Sequence, residues 1–530
     1  MAPPRLKLAK KKQNAAKLVD TDDYLQSGDS HEEAMRKHRV GDPAKALRFA
    51  DRALDVYSQG LAKFPRSFDL AYNKARLELE KATDPVLSEA LEMPIIDALR
   101  QALSSHNYAR DLEPTHPDTL FNMAQVLTSM AERIAEDDES DDSEAIQNLE
   151  KALEIQSHCF QLQLAAFEKS RLELEQAMRE TAQQEMSPIG GVEATSSNTT
   201  TEPQNVNQEE QWVSIEEPIT AVTLLETIIA QIEALSALCS ILSSDQTVSS
   251  MSALSWIDSY STNLLTQTLP TLLSENQEAL EPRLPDVLLP RAVFMSNYLE
   301  LSFRVSAIDV EKYRQELDAA FIQPGLDGAS ENVLLAIANA LLSLNSALAD
   351  SNSEAESHAA FRWKILIDAQ SRLSSVASIP HIDKHTLATT HLLRGDISLF
   401  LQILAYPPVA HSQAQTTTPQ LLKHAEVYYR NASKLLGSFG SSTEEERIAC
   451  ELKGAVVNVL QQVTTDQAAA GSSSGQSSSG TIINMTASPH QIESALESIL
   501  RVRGEEWVRD HIEDMVSDGL VLPQVFSAII

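Results

Sequence analysis

His381, Asp383, His385 and His391 are the first residues in this 530-residue chain whose types and spacing suggest chemistry. Imidazole and carboxylate groups ligate metal ions, and a four-residue step puts two side chains on one helix face. That geometry requires Pro380 to open the helix. No cysteine or glutamate completes a ligand set, so surface histidines are the better reading and no metal is expected. Cys159, Cys239 and Cys450 stand far apart without a Cys-x-x-Cys pair. This argues against a disulfide scaffold or a structural zinc site and fits a reducing compartment. There is no phosphate loop, Gly-x-Ser-x-Gly elbow, dinucleotide fingerprint or His-Glu-x-x-His. No cofactor is expected, and an enzyme would need a site assembled from distant residues. Arg394-Gly395-Asp396 lies inside a helical pattern and carries no adhesion signal.

A second polar set repeats along the chain. Asp69, Tyr72, Asn73 and Ala75 recur 49 residues later as Asp118, Phe121, Asn122 and Ala124, and each copy follows a proline, Pro65 or Pro114. The acid precedes the amide by four residues, so one helical turn separates them on a shared face. Asp69, Asn73, Asp118, Asn122 and Gln125 would then line a groove that hydrogen-bonds an extended peptide and attracts lysine or arginine. The plainer alternative is that the amides are solvated or bond neighbouring helices.

These residues need helices to hold them, and the composition supplies helices. Only 16 glycines and 22 prolines occur, apolar content is 43%, and β-branched runs are short, a balance that favours helix over strand. The helix before each polar set also repeats: GDPAKALRFADRALDV aligns with DDSEAIQNLEKALEI. Small residues at Ala46, Ala53, Ala102, Ala109, Ala145 and Ala152 would let one helix approach the next, with Ala75 and Ala124 doing the same from the other side. Proline ends each hairpin. The outcome is an all-α stack of antiparallel helical hairpins.

These residues resemble the tetratricopeptide repeat over roughly residues 27–160, with a 49-residue period where the usual unit is about 34. Residues 383–440 look like one further hairpin. The whole chain also resembles a little-characterised group of fungal tetratricopeptide proteins. The resemblance implies a helical solenoid that binds other proteins. Some tetratricopeptide domains clamp the acidic tails of heat-shock chaperones with Lys, Asn and Arg. Here the matching positions are His31, Met35, Asn73, Asp118 and Asn122, of which only Asn73 fits. An acid at 118 would repel a carboxylate, so that partner is not expected.

Charge narrows the partner. Net charge is −33, yet residues 1–19 hold Arg5, Lys7, Lys10, Lys11, Lys12 and Lys17 without an acid. An acidic body repels phosphate backbones and favours basic proteins. Lys7, Lys10, Lys11 and Lys12 have the composition of a nuclear localisation signal. The acidic run 136–142 suits a basic partner or a plain solvated loop. No apolar leader and no run of about 18 apolar residues is evident, so no membrane partner and a cytoplasmic or nuclear location are expected.

The expected organisation is a basic disordered tail over 1–26, a hairpin domain over 27–183 and a disordered linker over 184–216. A second helical-repeat-like domain then covers 217–464, a flexible Gly/Ser linker 465–487 and amphipathic helices 488–530. The expected function is non-enzymatic: an adaptor or dedicated chaperone for a basic protein. A structural subunit of a larger assembly is the alternative, and an enzyme without a local motif is the third.

Overall fold

The computed structural model describes residues 18–136, 142–185, 218–244, 248–351, 358–439, 443–473 and 487–526. Among them there are helices and turns but no strand. The chain divides into two compact units. The first takes residues up to Ile241 together with Ile257–Pro282, and the second takes Leu242–Trp256 together with Arg283 onward.

The first unit opens with α1 (Thr21–His38) and α2 (Pro43–Lys63), followed by α3 (Phe68–Thr83), the single turn α4 (Pro85–Ser88) and α5 (Ile95–Leu112). Then come α6 (Pro117–Ala135), α7 (Asp142–Glu185) and α8 (Ala221–Ser244), followed in the chain by α9 (Val248–Asn263) and the short α10 (Leu269–Glu275) and α11 (Gln277–Leu280). α1 packs on α2, α3 on α5 and α6 on α7, while α2–α3 and α5–α6 contacts join the hairpins. α1 also touches α3, and α3 touches α6. The first helices of the three hairpins therefore share one face. Local chemistry fixes the starts. Asp20 and Asp23 form a capping box at α1, Asp42 caps α2 ahead of Pro43, and Ser67 caps α3.

The small residues sit where close helix contacts require them. Ala46, Ala53, Ala75, Ala102, Ala109, Ala124, Ala145 and Ala152 are all fully buried. Tighter still is Gly28 on α1, where an added Cβ would lie 2.2 Å from Cε1 of Tyr57 on α2.

The second unit repeats the plan. Its hairpins are α12 (Leu284–Arg304) with α13 (Val310–Phe321) and α14 (Glu331–Asp350) with α15 (Ala359–Val376), then α16 (Lys384–Ile403) with α17 (Ser412–Leu436). α18 (Glu444–Ser473) packs on α17 and carries α19 (Pro489–Arg503), and α20 (Glu505–Ser517) contacts α19. One apolar cluster runs from Ala292 to Phe526, so the apolar C-terminal stretch docks on this unit. Here Gly395 on α16 faces Tyr429 on α17, and an added Cβ would lie 2.4 Å from the ring.

Several expected boundaries move. Six residues of the 1–26 tail belong to α1, because three acids, Asp20, Asp22 and Asp23, cap and begin the helix around Thr21. The 217–464 domain is not a unit. α8 packs with the first hairpins, where Thr227 Oγ1 donates to Gln163 Oε1 of α7 at 2.7 Å. The Ser/Thr-rich composition of 184–216 marked a segment of low apolar content, not a packing boundary. α18 continues to Ser473, into the expected 465–487 linker. Most of both linkers, and most of the acidic run, lies outside the described residues.

Two helices correct the absence of spanning-length apolar runs. α8 and α14 are long and apolar enough to cross a membrane, and 67% and 50% of those windows are buried inside the structure. Scattered Thr, Ser, Gln, Asn and Glu side chains break the apolar run, while the abundant Leu, Ile and Ala keep the mean hydropathy high. α7 differs from both: past Phe167 it lies uncovered, with Leu172, Leu174 and Met178 55%, 57% and 62% exposed.

Gly28→Ala tests the close approach. Helix propensity alone would favour alanine by about 0.5–1 kcal/mol, but the buried Tyr57 ring must move. We expect a net loss of roughly 1–3 kcal/mol in denaturant unfolding. A stabilised variant would show that the ring yields freely.

Candidate protein-binding face

The second helix of four hairpins, the three of the first unit and one of the second, carries a spacing that orders the first. A small residue is followed four positions on by a larger one and three further on by another small one. The sets are Ala53-Tyr57-Gly60, Ala102-His106-Ala109, Ala152-Gln156-Cys159 and, in the second unit, Ala425-Tyr429-Ala432. All twelve residues are buried. The pattern was visible in the sequence, but the middle residue changes from phenol to imidazole to amide and hides it.

Two of these middle residues anchor charged networks. Tyr57 Oη donates to Glu32 Oε1 at 2.6 Å, and buried Glu32 also pairs with Arg36 and with Arg76 of α3. In the second unit Tyr429 Oη donates to Asp396 Oδ1 at 2.7 Å, and Lys453 of α18 reaches the same oxygen at 2.9 Å. Burial, then the adjacent carboxylate, raises both phenols far above their usual range. Each network ties a hairpin to the helix that follows it.

With the first helices so fixed, α3 and α6 set the polar residues side by side. Asp69, Asp118 and Gln125 are exposed, and Asn73 and Asn122 are half-buried. Asn73 Nδ2 donates to the Asp69 carbonyl at 2.8 Å, so this amide is engaged within its own helix. Asn122 Nδ2 donates to Tyr72 Oη of α3 at 3.4 Å and links the two helices. Burial first and the Asp118 charge second raise the Tyr72 phenol. Neither Asp69 nor Asp118 has an ion-pair partner among the described residues. Beside them Phe68, Tyr72 and His116 group their rings, with centroids 4.6–5.8 Å apart. Sequence reading missed this trio, because His116 comes from the turn before α6 and meets α3 only in the fold.

The other sites resolve differently. Lys7, Lys10, Lys11 and Lys12 lie outside the described residues. Glu136 pairs with Arg133 at 2.6 Å. Asp383 caps α16 through the His385 and Thr386 amides, and the Thr386 hydroxyl bond holds its carboxyl below the usual range. His381 precedes the helix, so it shares no face with His385; His385 meets Glu446 at 3.5 Å, and His391 stacks on Tyr428. No group of three potential metal ligands occurs among the described residues. The three thiols are buried; burial pushes Cys159 and Cys450 up to about 12, and Cys239 rises as well.

No protein-family model matches the chain. It is similar to a UPF0656 protein of Schizosaccharomyces pombe, with 32% identity over 187 residues, which is 35% of this chain and 40% of that relative. The matched part thus spans well under two thirds of the relative's length.

Two measurements check the packing behind this face. His106 is buried with Nδ1 on the Ala102 carbonyl and Nε2 without a partner, and burial lowers its pKa. The unfolded chain binds the proton more readily, so stability is complete above the ordinary imidazole value near 6.5 and falls as pH drops below it. His106→Gln, with the residue found at 156, should flatten the melting temperature between about pH 7 and pH 5. An unchanged slope would place the acid sensitivity elsewhere. A thiol reagent at pH 8 should react at least roughly a thousand-fold more slowly with the folded protein than with the unfolded one. Rapid labelling of the folded protein would contradict the burial.

Proposed function

We propose that this chain is a non-enzymatic interaction protein, an adaptor or dedicated chaperone, that binds a basic protein segment across the first helices of its N-terminal hairpins. The observation that carries this reading is the pair of exposed carboxylates, Asp69 and Asp118, on neighbouring helices α3 and α6 with no ion-pair partner among the described residues. A segment lying across the helices would meet a carboxylate and an amide from each. The recurrent small–large–small spacing supports a tetratricopeptide type of hairpin. An acidic chain with such a face attracts lysine and arginine, repels acidic chaperone tails and repels nucleic acid. Cytoplasm or nucleus, without membrane insertion, is the location in keeping with this role.

The perturbed titratable groups support the non-enzymatic reading. The tyrosines, His106 and the cysteines owe their shifts first to burial in helix contacts. One feature favours the structural-subunit alternative: the exposed apolar side chains on the uncovered end of α7. Salt separates the two, since electrostatic capture weakens with ionic strength and an apolar interface does not.

Asp69→Lys combined with Asp118→Lys should weaken binding of a labelled lysine/arginine-rich peptide by about ten-fold or more, since exposed ion pairs contribute up to about 1 kcal/mol each and reversal adds repulsion. Helicity should stay unchanged by circular dichroism. Wild-type binding should also fall steeply between low and physiological salt. If the double variant binds as wild type, this face is not the site.

A further inference from the structure

We infer that the face reads arginine in preference to lysine, through the shelf formed by Phe68, Tyr72 and His116. The inference rests on the proposed reading of this face and adds to it the side chain that is recognised. Phe68 and Tyr72 come from the first turns of α3, one turn apart, with centroids 5.8 Å apart and planes inclined by 20°. His116 joins from the turn before α6, 4.6 Å from Phe68 and 5.6 Å from Tyr72. All three rings are half-buried, so part of each reaches the surface. Asn122 Nδ2 donates to the Tyr72 hydroxyl from α6 at 3.4 Å, which links the ring to the neighbouring helix.

The carboxylates flank this shelf. Asp69 stands three residues before Tyr72 on α3, a spacing that puts both on one face, and Asp118 lies close enough to Tyr72 for its charge to raise the phenol. The arrangement is an aromatic plane with an acceptor at its edge. Guanidinium is planar, weakly hydrated and donates in a fork. It can therefore lie on the rings while two of its N–H groups meet one carboxylate. An ammonium is compact and strongly hydrated; it would gain the charge attraction but little from the shelf. The chemical class of partner is thus a basic protein segment with arginine at the position that crosses α3 and α6.

The test uses the full chain and two labelled decapeptides, one with arginine at alternate positions separated by serine, the other its lysine twin. Wild type should bind the arginine peptide roughly five-fold more tightly at physiological salt. Tyr72→Leu should weaken the arginine peptide several-fold more than the lysine peptide, so that the two bind alike. Tyr72→Phe, which keeps the ring, should retain the preference. Thermal melting of both variants reports on folding separately. Equal binding of the two peptides to wild type, both weakened by the Asp69→Lys and Asp118→Lys pair, would overturn the arginine reading and leave the acidic face standing. Binding of both peptides that ignores the charge reversal would overturn the face itself, and this inference with it.

Discussion

The ring of Tyr57 fills the space where a Cβ at position 28 would stand, and the ring of Tyr429 does the same at position 395. A helix lacking one side chain at one point is what lets its partner come that close. The phenol that enters the gap carries its hydroxyl to a carboxylate on the first helix, Glu32 or Asp396. That acid is largely withdrawn from water and needs a cation, which arrives from the next helix as Arg76 or Lys453. Close approach, phenol, acid and base thus form one chain of requirements. Hairpin geometry and hairpin stacking are set by the same few atoms, in both units.

The proposed face inherits its order from this contact. α3 is held by Arg76 on one side and by α5 on the other. Its first turn therefore meets α6 in a fixed register, and Tyr72 reaches Asn122. Of the candidate polar residues only the Asn122 amide joins that register. Asp69 and Asp118 keep their carboxylates exposed because the scaffold places no demand on them. Asn73 shows the opposite case, its amide turned back onto its own helix.

How much of this the sequence showed depends on the range of the contact. Alanines at helix crossings leave a periodic trace, so Ala75, Ala124 and their counterparts were legible and all are buried. The same 49-residue repeat placed Asp69 and Asp118 on neighbouring helices. Contacts that join non-equivalent positions leave no such trace. His116 meets Phe68 through a turn, and the Tyr57 and Tyr429 networks look unrelated until their glycines are superimposed in thought. Composition misled at the boundaries. Low apolar content around 184–216 says nothing about what the flanking helices pack against, and α8 returns to α7. At the N-terminus the basic residues drew attention from Asp20, Asp22 and Asp23, which cap and begin α1.

The cation that neutralises each buried acid has a consequence for how the protein can be divided. Cutting after α2 would keep Gly28, Tyr57 and Glu32 together and remove Arg76; cutting after α17 would do the same to Asp396 and Lys453. Either fragment would own a complete hairpin with its acid exposed to half a vacancy. At these two places the block that holds together is three helices, the hairpin with the helix that follows it. Neither of these two hairpins can be removed or added as a unit, because each borrows one side chain from the helix that follows it.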